Sequence, residues 1–476
     1  MMVVFNLYLP RIPLFAILLN FLLGIYSCLN AEVFEQSMFL YHVPTSITLL
    51  GRDNLSVNLN LCMSLVSAHE SFDPDGNNVP LFGRYGEMDF DVFAKNKVSY
   101  SFNGPSIYDP YSKTMALKND INSLFSSYEK KNVYCAGKLN SFEVAFMLKV
   151  AMPHQPFYMS IDLPFRLTSV KKMEFASVAS QQSIFTDFLN ANMDAVLEEN
   201  NFEALHNGYE AKGVSDIIAK LGWSNQEHLS GTLVRFVWGD IAIGVSLPLS
   251  IMTQSPKNFL FHIPLGHGGS LGALLQYKAG IEFNRKMEFI VFGENWLFLY
   301  KNNLLHILNH KDMGCFNLFR ESTVQSCRGP YWVAGAIFKT RLLFEGLYAT
   351  FGYSYHSQEQ SAFNITRPDN DLLYDLNKLE SFLAQNPSLS DGIAKYDREN
   401  NFFYPVSNML INKDPRLQRS YAHIIHLTFL VQPIQLVDWY DNAQISFSYH
   451  QPIYGKSAFA GFGVSAQVGV GITLNF

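Results

Sequence analysis

The sequence predicts an all-β fold, a closed antiparallel transmembrane β-barrel of 12–14 strands with long outer loops carrying short helices. Three observations lead there. The first is the chain end, where Phe462, Val464, Ala466, Val468, Val470, Ile472, Leu474 and Phe476 alternate with Gly463, Ser465, Gln467, Gly469, Gly471, Thr473 and Asn475. A period of two over so many residues is a strand with one apolar and one small or polar face. Its length suits a tilted membrane-crossing strand, which needs about 9–11 residues. The second is a series of similar segments upstream at hairpin spacing. The third is composition: 16% of the 476 residues are charged and 14% aromatic, with 40 Phe and 24 Tyr. A mean hydropathy of +0.04 is too low for a bundle of membrane helices. It fits strands in which apolar and polar residues alternate.

The formal net charge is −6 and there is no basic run, so a nucleic-acid partner is not expected. Residues 1–31 read as a signal peptide, with Arg11 before the apolar run Ile12–Ile25 and cleavage after Ala31. Cys28 offers a lipoprotein-type alternative, which Tyr26 opposes. Residues 32–55 lack a period and are taken as a periplasmic lead-in, leaving 56–476 for the barrel. Of the remaining cysteines, Cys315 and Cys327 bracket a loop-like stretch and are expected to form a disulfide. No Cys/His set has zinc spacing. Asp73, Asp75 and Asn77 open like a calcium loop, but Arg84 stands where the acidic ligand belongs. No metal or cofactor is expected.

In chain order, Val57, Leu59, Leu61, Met63 and Leu65 begin a first strand, and 71–86 is loop. Met88–Phe93 and Val98–Phe102 are either a short hairpin or not strands at all, which sets the choice between 12 and 14. Phe142–Val150 and Phe157–Leu167 form a hairpin around Met152–Pro156, with Glu143, Lys149, Asp162 and Arg166 on the polar face. Residues 183–206 and 369–385 change to helical spacing and are placed in outer loops, capping or folding into the barrel mouth. Gly213–Trp223 reads as a strand. In Val234–Leu247, Gly239-Asp240 is either a tight turn between two strands or a bulge in one long strand, and the bulge is preferred because Gly213–Trp223 already supplies the preceding strand. Leu275–Phe283 follows, with Lys278 and Glu282 on its polar face, and then Met287–Tyr300, Trp332–Phe338, Leu347–Tyr355, Ile425–Val431 and Ile445–Tyr449. Trp223, Trp238, Trp296, Tyr300, Trp332, Tyr353, Tyr355, Trp439, Tyr440 and Tyr449 sit near strand ends, as interfacial girdles require. With Phe476 on the periplasmic side, connections 284–286, 340–343 and 432–442 are short and inner. Connections 249–270, 301–330 and 357–420 are long and outer, as in barrels.

The terminal strand resembles the closing strand of bacterial outer-membrane β-barrels. That resemblance implies that Phe462, Val464, Val468, Val470, Ile472, Leu474 and Phe476 form a barrel-closing signal read by the outer-membrane assembly machinery. Three further marks are Phe72–Gly86, Gly213–Trp223 and Ile263–Gly269. Together with the terminal Phe they resemble porin-like outer-membrane barrel proteins of small-genome, Dependentiae-type bacteria. The resemblance implies location and architecture, and no catalytic residue.

The expected function is a porin-like channel for passive diffusion of small hydrophilic solutes, surrounded by outer-membrane lipid. Glu143, Lys149, Asp162, Arg166, Lys278 and Glu282 are the expected pore-lining residues, joined by Arg235 if it faces the lumen. The alternative is an adhesion or interaction barrel whose loops 169–212 and 357–420 bind a partner. Enzyme activity is not expected, because His154, His206, His262 and His267 have no nucleophile motif beside them, and His423 and His426 sit in a strand where they face lumen or interface. The oligomeric state stays open.

Overall fold

Twelve long strands follow from the alternation. The computed structural model describes residues 55–95, 112–131, 133–152, 156–177, 183–199, 203–229, 233–249, 266, 270–283, 287–299, 301–306, 321–342, 346–365, 417–431 and 442–474. The signal-peptide and lead-in expectations, the helix expected at 369–385, the Cys315–Cys327 bridge and Phe476 lie outside these residues. The barrel strands are β1 (Leu55–Ala68), β2 (Val133–Ala151), β3 (Phe157–Ser177), β4 (Ile217–His228), β5 (Val234–Leu247) and β6 (Gly272–Phe283). They continue as β7 (Met287–Phe298), β8 (Tyr331–Arg341), β9 (Leu347–Gln358), β10 (Ser420–Val431), β11 (Asn442–Lys456) and β12 (Phe462–Leu474).

Each strand pairs antiparallel with its sequence neighbour, and β12 returns to β1 in register from Leu55↔Leu474 to Ser67↔Phe462. The sheet is therefore closed and has no free edge, as a structure crossing a hydrocarbon layer requires. Among the described residues the barrel has twelve strands: Phe90–Lys95, where a hairpin was one option, is a short helix, α1, and Val98–Phe102 lies outside them. Connections sort by end. At one end they are 152–156, 229–233, 284–286, 342–346 and 432–441; at the other they are mostly far longer.

Alternation fixes which side chains face out. Leu59, Phe146, Met159, Ile241, Phe351 and Phe447 are exposed, and with their neighbours they make an apolar belt around the barrel. Phe462, Val464 and Val468 of the closing strand belong to it. So large an exposed apolar surface is stable only against lipid. On the outer face near the long-loop end, Trp332, Tyr353, Tyr355, Tyr421, His423 and Tyr454 pack ring to ring. Trp238 and Trp296 depart from the girdle expectation: both are buried on the inward face.

Two strand expectations are also corrected. The register of β5 against β6 is regular from Phe236 to Ser246, so Gly239-Asp240 is not a bulge; the shift lies between Val234 and Phe236. Phe236 and Trp238 share the inward phase of Asp240 and Ala242, and looked out of phase only because an aromatic was assumed to face outward. The Gly213–Trp223 strand is interrupted at Ser215-Asp216, between a short strand Tyr209–Val214 and β4. Both pieces pair with β3. Pro164 of β3 has no N–H to donate there, and its carbonyl accepts from the Ser215 N–H at 2.8 Å.

At the long-loop end, residues 69–95 and 112–131 fold back onto the mouth. A 3₁₀ turn at Leu81–Tyr85, α1, α2 (Ser112–Leu124) and α3 (Ile184–Glu199) share one apolar core with inward residues Val66, Leu139, Val170, Ala211 and Ile424. Phe90 packs edge-on to Phe175 and Phe185, and Phe125 on Phe185. α3 is fastened by Asn190, whose side-chain amide bonds both the N–H and the C=O of Phe175, as a neighbouring strand would.

Candidate functional site: the barrel lumen

The lumen is built by the inward series of each strand, and its two halves differ. On β2 to β8 the inward side chains include Glu143, Lys149, Asp162, Arg166, Lys220, Asp240, Lys278, Glu294, Glu288 and Lys339. On β9 to β12 and β1 they are uncharged: Thr350, Ser354, His426, Thr428, Ser448, Ser465 and Asn58 among them.

Most lumen charges are paired. Glu143 and Arg166 face each other directly across β2 and β3, with Arg166 Nε donating to Glu143 Oε2 at 2.8 Å and Nη2 lying 2.7 Å from the same oxygen as an ion-pair contact. They are only 3% and 1% exposed, so they brace the wall rather than meet solvent. Lys220 Nζ lies 2.6 Å from Asp162 Oδ2. Lys339 Nζ lies 3.2 Å from Glu288 Oε2, whose other oxygen accepts from Trp238 Nε1 at 2.8 Å. Glu282 lies at the short-turn end and pairs with Arg235 at 3.3 Å; Arg235 stands at the register shift of β5 and is exposed, away from the charged stretch of lumen.

One contact reaches across four strands. Lys149 of β2 stands over the Tyr158 ring of β3, 3.6 Å from its centroid. That ring lies flat on Gly222 of β4, its direct cross-strand partner. The Tyr158 hydroxyl donates to Asp240 Oδ1 of β5 at 2.8 Å, and Lys149 Nζ is 3.6 Å from Oδ2. A side chain at 222 would collide, since a Cβ there would sit 2.1 Å from Tyr158 Cζ. The device recurs. Trp238 covers Gly280 and Phe292 covers Gly335, each pair in direct register. Rings laid along the wall cost the lumen little width.

The uncharged wall carries a hydrogen-bonded row across β8 to β12. It runs Tyr331 Oη to His356 Nδ1 (2.7 Å), His356 Nε2 to Ser354 Oγ (2.8 Å), and Ser354 Oγ to His426 Nε2 (2.6 Å). It continues from His426 Nδ1 to His450 Nδ1 (2.8 Å) and His450 Nε2 to Ser465 Oγ (3.2 Å). Each link needs one donor and one acceptor, so the row is satisfied by neutral histidines with all donors pointing the same way. Among the described residues no group of three or more His, Cys, Asp or Glu is placed to hold a metal ion.

Of the residues expected to line the pore, Lys149, Asp162 and Lys278 meet in one charged stretch of lumen. Glu143 and Arg166 form a separate brace, and Glu282 stands apart. Sequence reasoning missed Lys220, Asp240, Glu294 and Tyr158. Lys220 and Glu294 were legible from the alternation of their own strands. Asp240 was hidden by the bulge reading.

No family matches the chain, and no characterised protein matches it in sequence. Solved structures that resemble it are barrels. An outer membrane channel from Pseudomonas putida F1 aligns over 89% of this chain and 97% of its own, at 7% identity and a TM-score of 0.44. The translocator domain of the autotransporter NalP from Neisseria meningitidis aligns over 90% of each chain, at 6% identity and a TM-score of 0.32. The outer membrane protein OprD from Pseudomonas aeruginosa aligns over 93% of this chain and 97% of its own, at 9% identity and a TM-score of 0.24.

Proposed function

We propose that this protein is a bacterial outer-membrane channel through which small hydrophilic solutes diffuse passively. The observation that carries the reading is the contrast between the two faces of one wall. Outside is a continuous apolar belt; inside are Lys149, Asp162, Lys220, Asp240, Lys278 and Glu294 in a single stretch. Charged side chains facing a lumen screen ions and orient dipolar solutes. A barrel that only filled its interior for stability would gain as much from apolar packing, because desolvating ion pairs is costly.

In this reading residues 1–31 direct export, and the alternate apolar residues from Phe462 to Phe476 are recognised by the assembly machinery. The short-turn end is periplasmic and the folded residues 69–95 and 112–131 are external. They turn their apolar side chains inward onto the mouth, which favours a cap over an adhesive surface. The test is conductance. Refolded protein in a planar bilayer should give discrete current steps absent from a blank. A record without steps at any holding potential would refute the channel.

A further inference from the structure

We propose that Lys278 and Glu294 form a dipolar subsite in the lumen that takes zwitterionic solutes of the amino-acid class. The carboxylate sits on Lys278 and the ammonium group on Glu294. The proposal rests on the channel reading and names the solutes that the channel favours.

It starts from a charge count within the lumen. Glu143 pairs with Arg166, Asp162 with Lys220, Asp240 with Lys149 and Glu288 with Lys339. Lys278 and Glu294 have no ion-pair partner among the described residues. They are opposite in sign and lie on adjacent strands, β6 and β7. They stand diagonally, one row apart, and form no ion pair with each other: Glu294 stands opposite Gln276, and Lys278 opposite Phe292. Glu294 accepts a hydrogen bond from the Gln276 amide, which satisfies an oxygen but leaves the charge.

The obvious partner for Lys278 is engaged elsewhere. Asp240 is its direct cross-strand neighbour on β5. Both Asp240 oxygens, however, are turned towards Tyr158 and Lys149 on the other side. Gly222 permits this, since it lets the Tyr158 ring lie flat and reach β5. The backbone of β4 therefore determines that a cation on β6 is left open.

The two residues are also reachable. Lys278 and Glu294 are both partly exposed, whereas Gln276, Phe292, Leu274 and Trp296 around them are buried. Diagonal partners on adjacent strands lie about 7–8 Å apart, within reach of long side chains. A simple anion would answer only Lys278, and a simple cation only Glu294. A solute with both groups answers both, with charge-assisted hydrogen bonds at each end.

Trp296, two residues from Glu294 on the same face, supplies the readout. Full-length protein refolded into vesicles is titrated with L-serine, acetate and ethylammonium while tryptophan fluorescence is followed. Swelling of the same vesicles is compared in L-serine and in erythritol, a neutral solute of similar size. The wild type should bind serine at least about tenfold more tightly than either singly charged probe. K278Q and E294Q should each weaken serine binding by about tenfold and lower the serine-to-erythritol swelling ratio. K278E/E294K keeps one charge of each sign in the subsite with their positions exchanged and should recover much of the preference. Serine binding no tighter than acetate binding, or a ratio unmoved in both single variants, would overturn the subsite. Erythritol entry without serine preference overturns the subsite alone, and serine binding without entry of either solute overturns the channel alone. Absence of binding and of entry overturns both.

Discussion

Glu143 and Arg166 show what one pair of residues commits the barrel to. Both charges are withdrawn from water, and their two short contacts must offset that desolvation. Removing one member leaves the other buried and uncompensated, a loss of about 3–5 kcal/mol. Glu143→Gln should therefore lower the urea midpoint for unfolding from lipid vesicles markedly. The double change Glu143→Met with Arg166→Met should recover most of the loss. A midpoint unchanged in Glu143→Gln would mean that water reaches the pair. This contact was legible in the sequence. The turn 152–156 sets Ala151 opposite Tyr158, and counting back along both strands brings 143 opposite 166. The Lys149–Asp240 contact was not legible, because it crosses two intervening strands and depends on how a tyrosine ring lies.

Between elements, the recurring device is an inward aromatic laid over an inward glycine: Tyr158 on Gly222, Trp238 on Gly280, Phe292 on Gly335. Burying the ring face against the bare backbone stabilises the strand pair and keeps the lumen clear. Gly222→Val should expel the Tyr158 ring, break the hydroxyl contact to Asp240 and destabilise the barrel by about 1–3 kcal/mol. Adding Tyr158→Ala should remove the collision, so the combined loss should be smaller than the sum of the single losses. A urea double-mutant cycle measures this, and additive losses would show that the two positions do not touch. Alternation told the face of each strand correctly along nearly its whole length, since period two follows from the pleat. It could not tell what lies on the neighbouring strand. Trp238 and Trp296 were accordingly assigned to lipid-facing girdles when they point inward. The histidine row across β8 to β12 was hidden for the same reason: its members are spread over more than 130 residues of sequence and meet only through register.

For the whole molecule, the decisive relation is between the charged stretch of lumen and the apolar core above it. The core joins inward residues of β1, β2, β3 and β10 to the folded residues 69–95 and 112–131 and to α3, so it covers the mouth along part of the wall. Phe82 is its centre: fully buried, edge-on to Phe459 with ring centroids 6.4 Å apart, and flanked by fully buried Leu81. The cap is held to the barrel by side-chain packing and by short pairings of Glu70–Phe72 with Asn78–Pro80 and Ala458–Phe459. The barrel wall is held by twelve long ladders. The two parts should therefore come apart in order, with the cap loosening first. Phe82→Ala leaves a cavity worth about 3–5 kcal/mol in this core and touches no barrel ladder. It should leave the heat-dependent gel shift of the closed barrel in place and speed proteolytic cutting within 69–95 and 112–131. If the cap gates the pore, single-channel records should show a higher open probability with the same selectivity, because the charged stretch of lumen is untouched. Faster cutting with an unchanged open probability would show that solutes pass beside the cap, along the uncharged wall of β11 and β12.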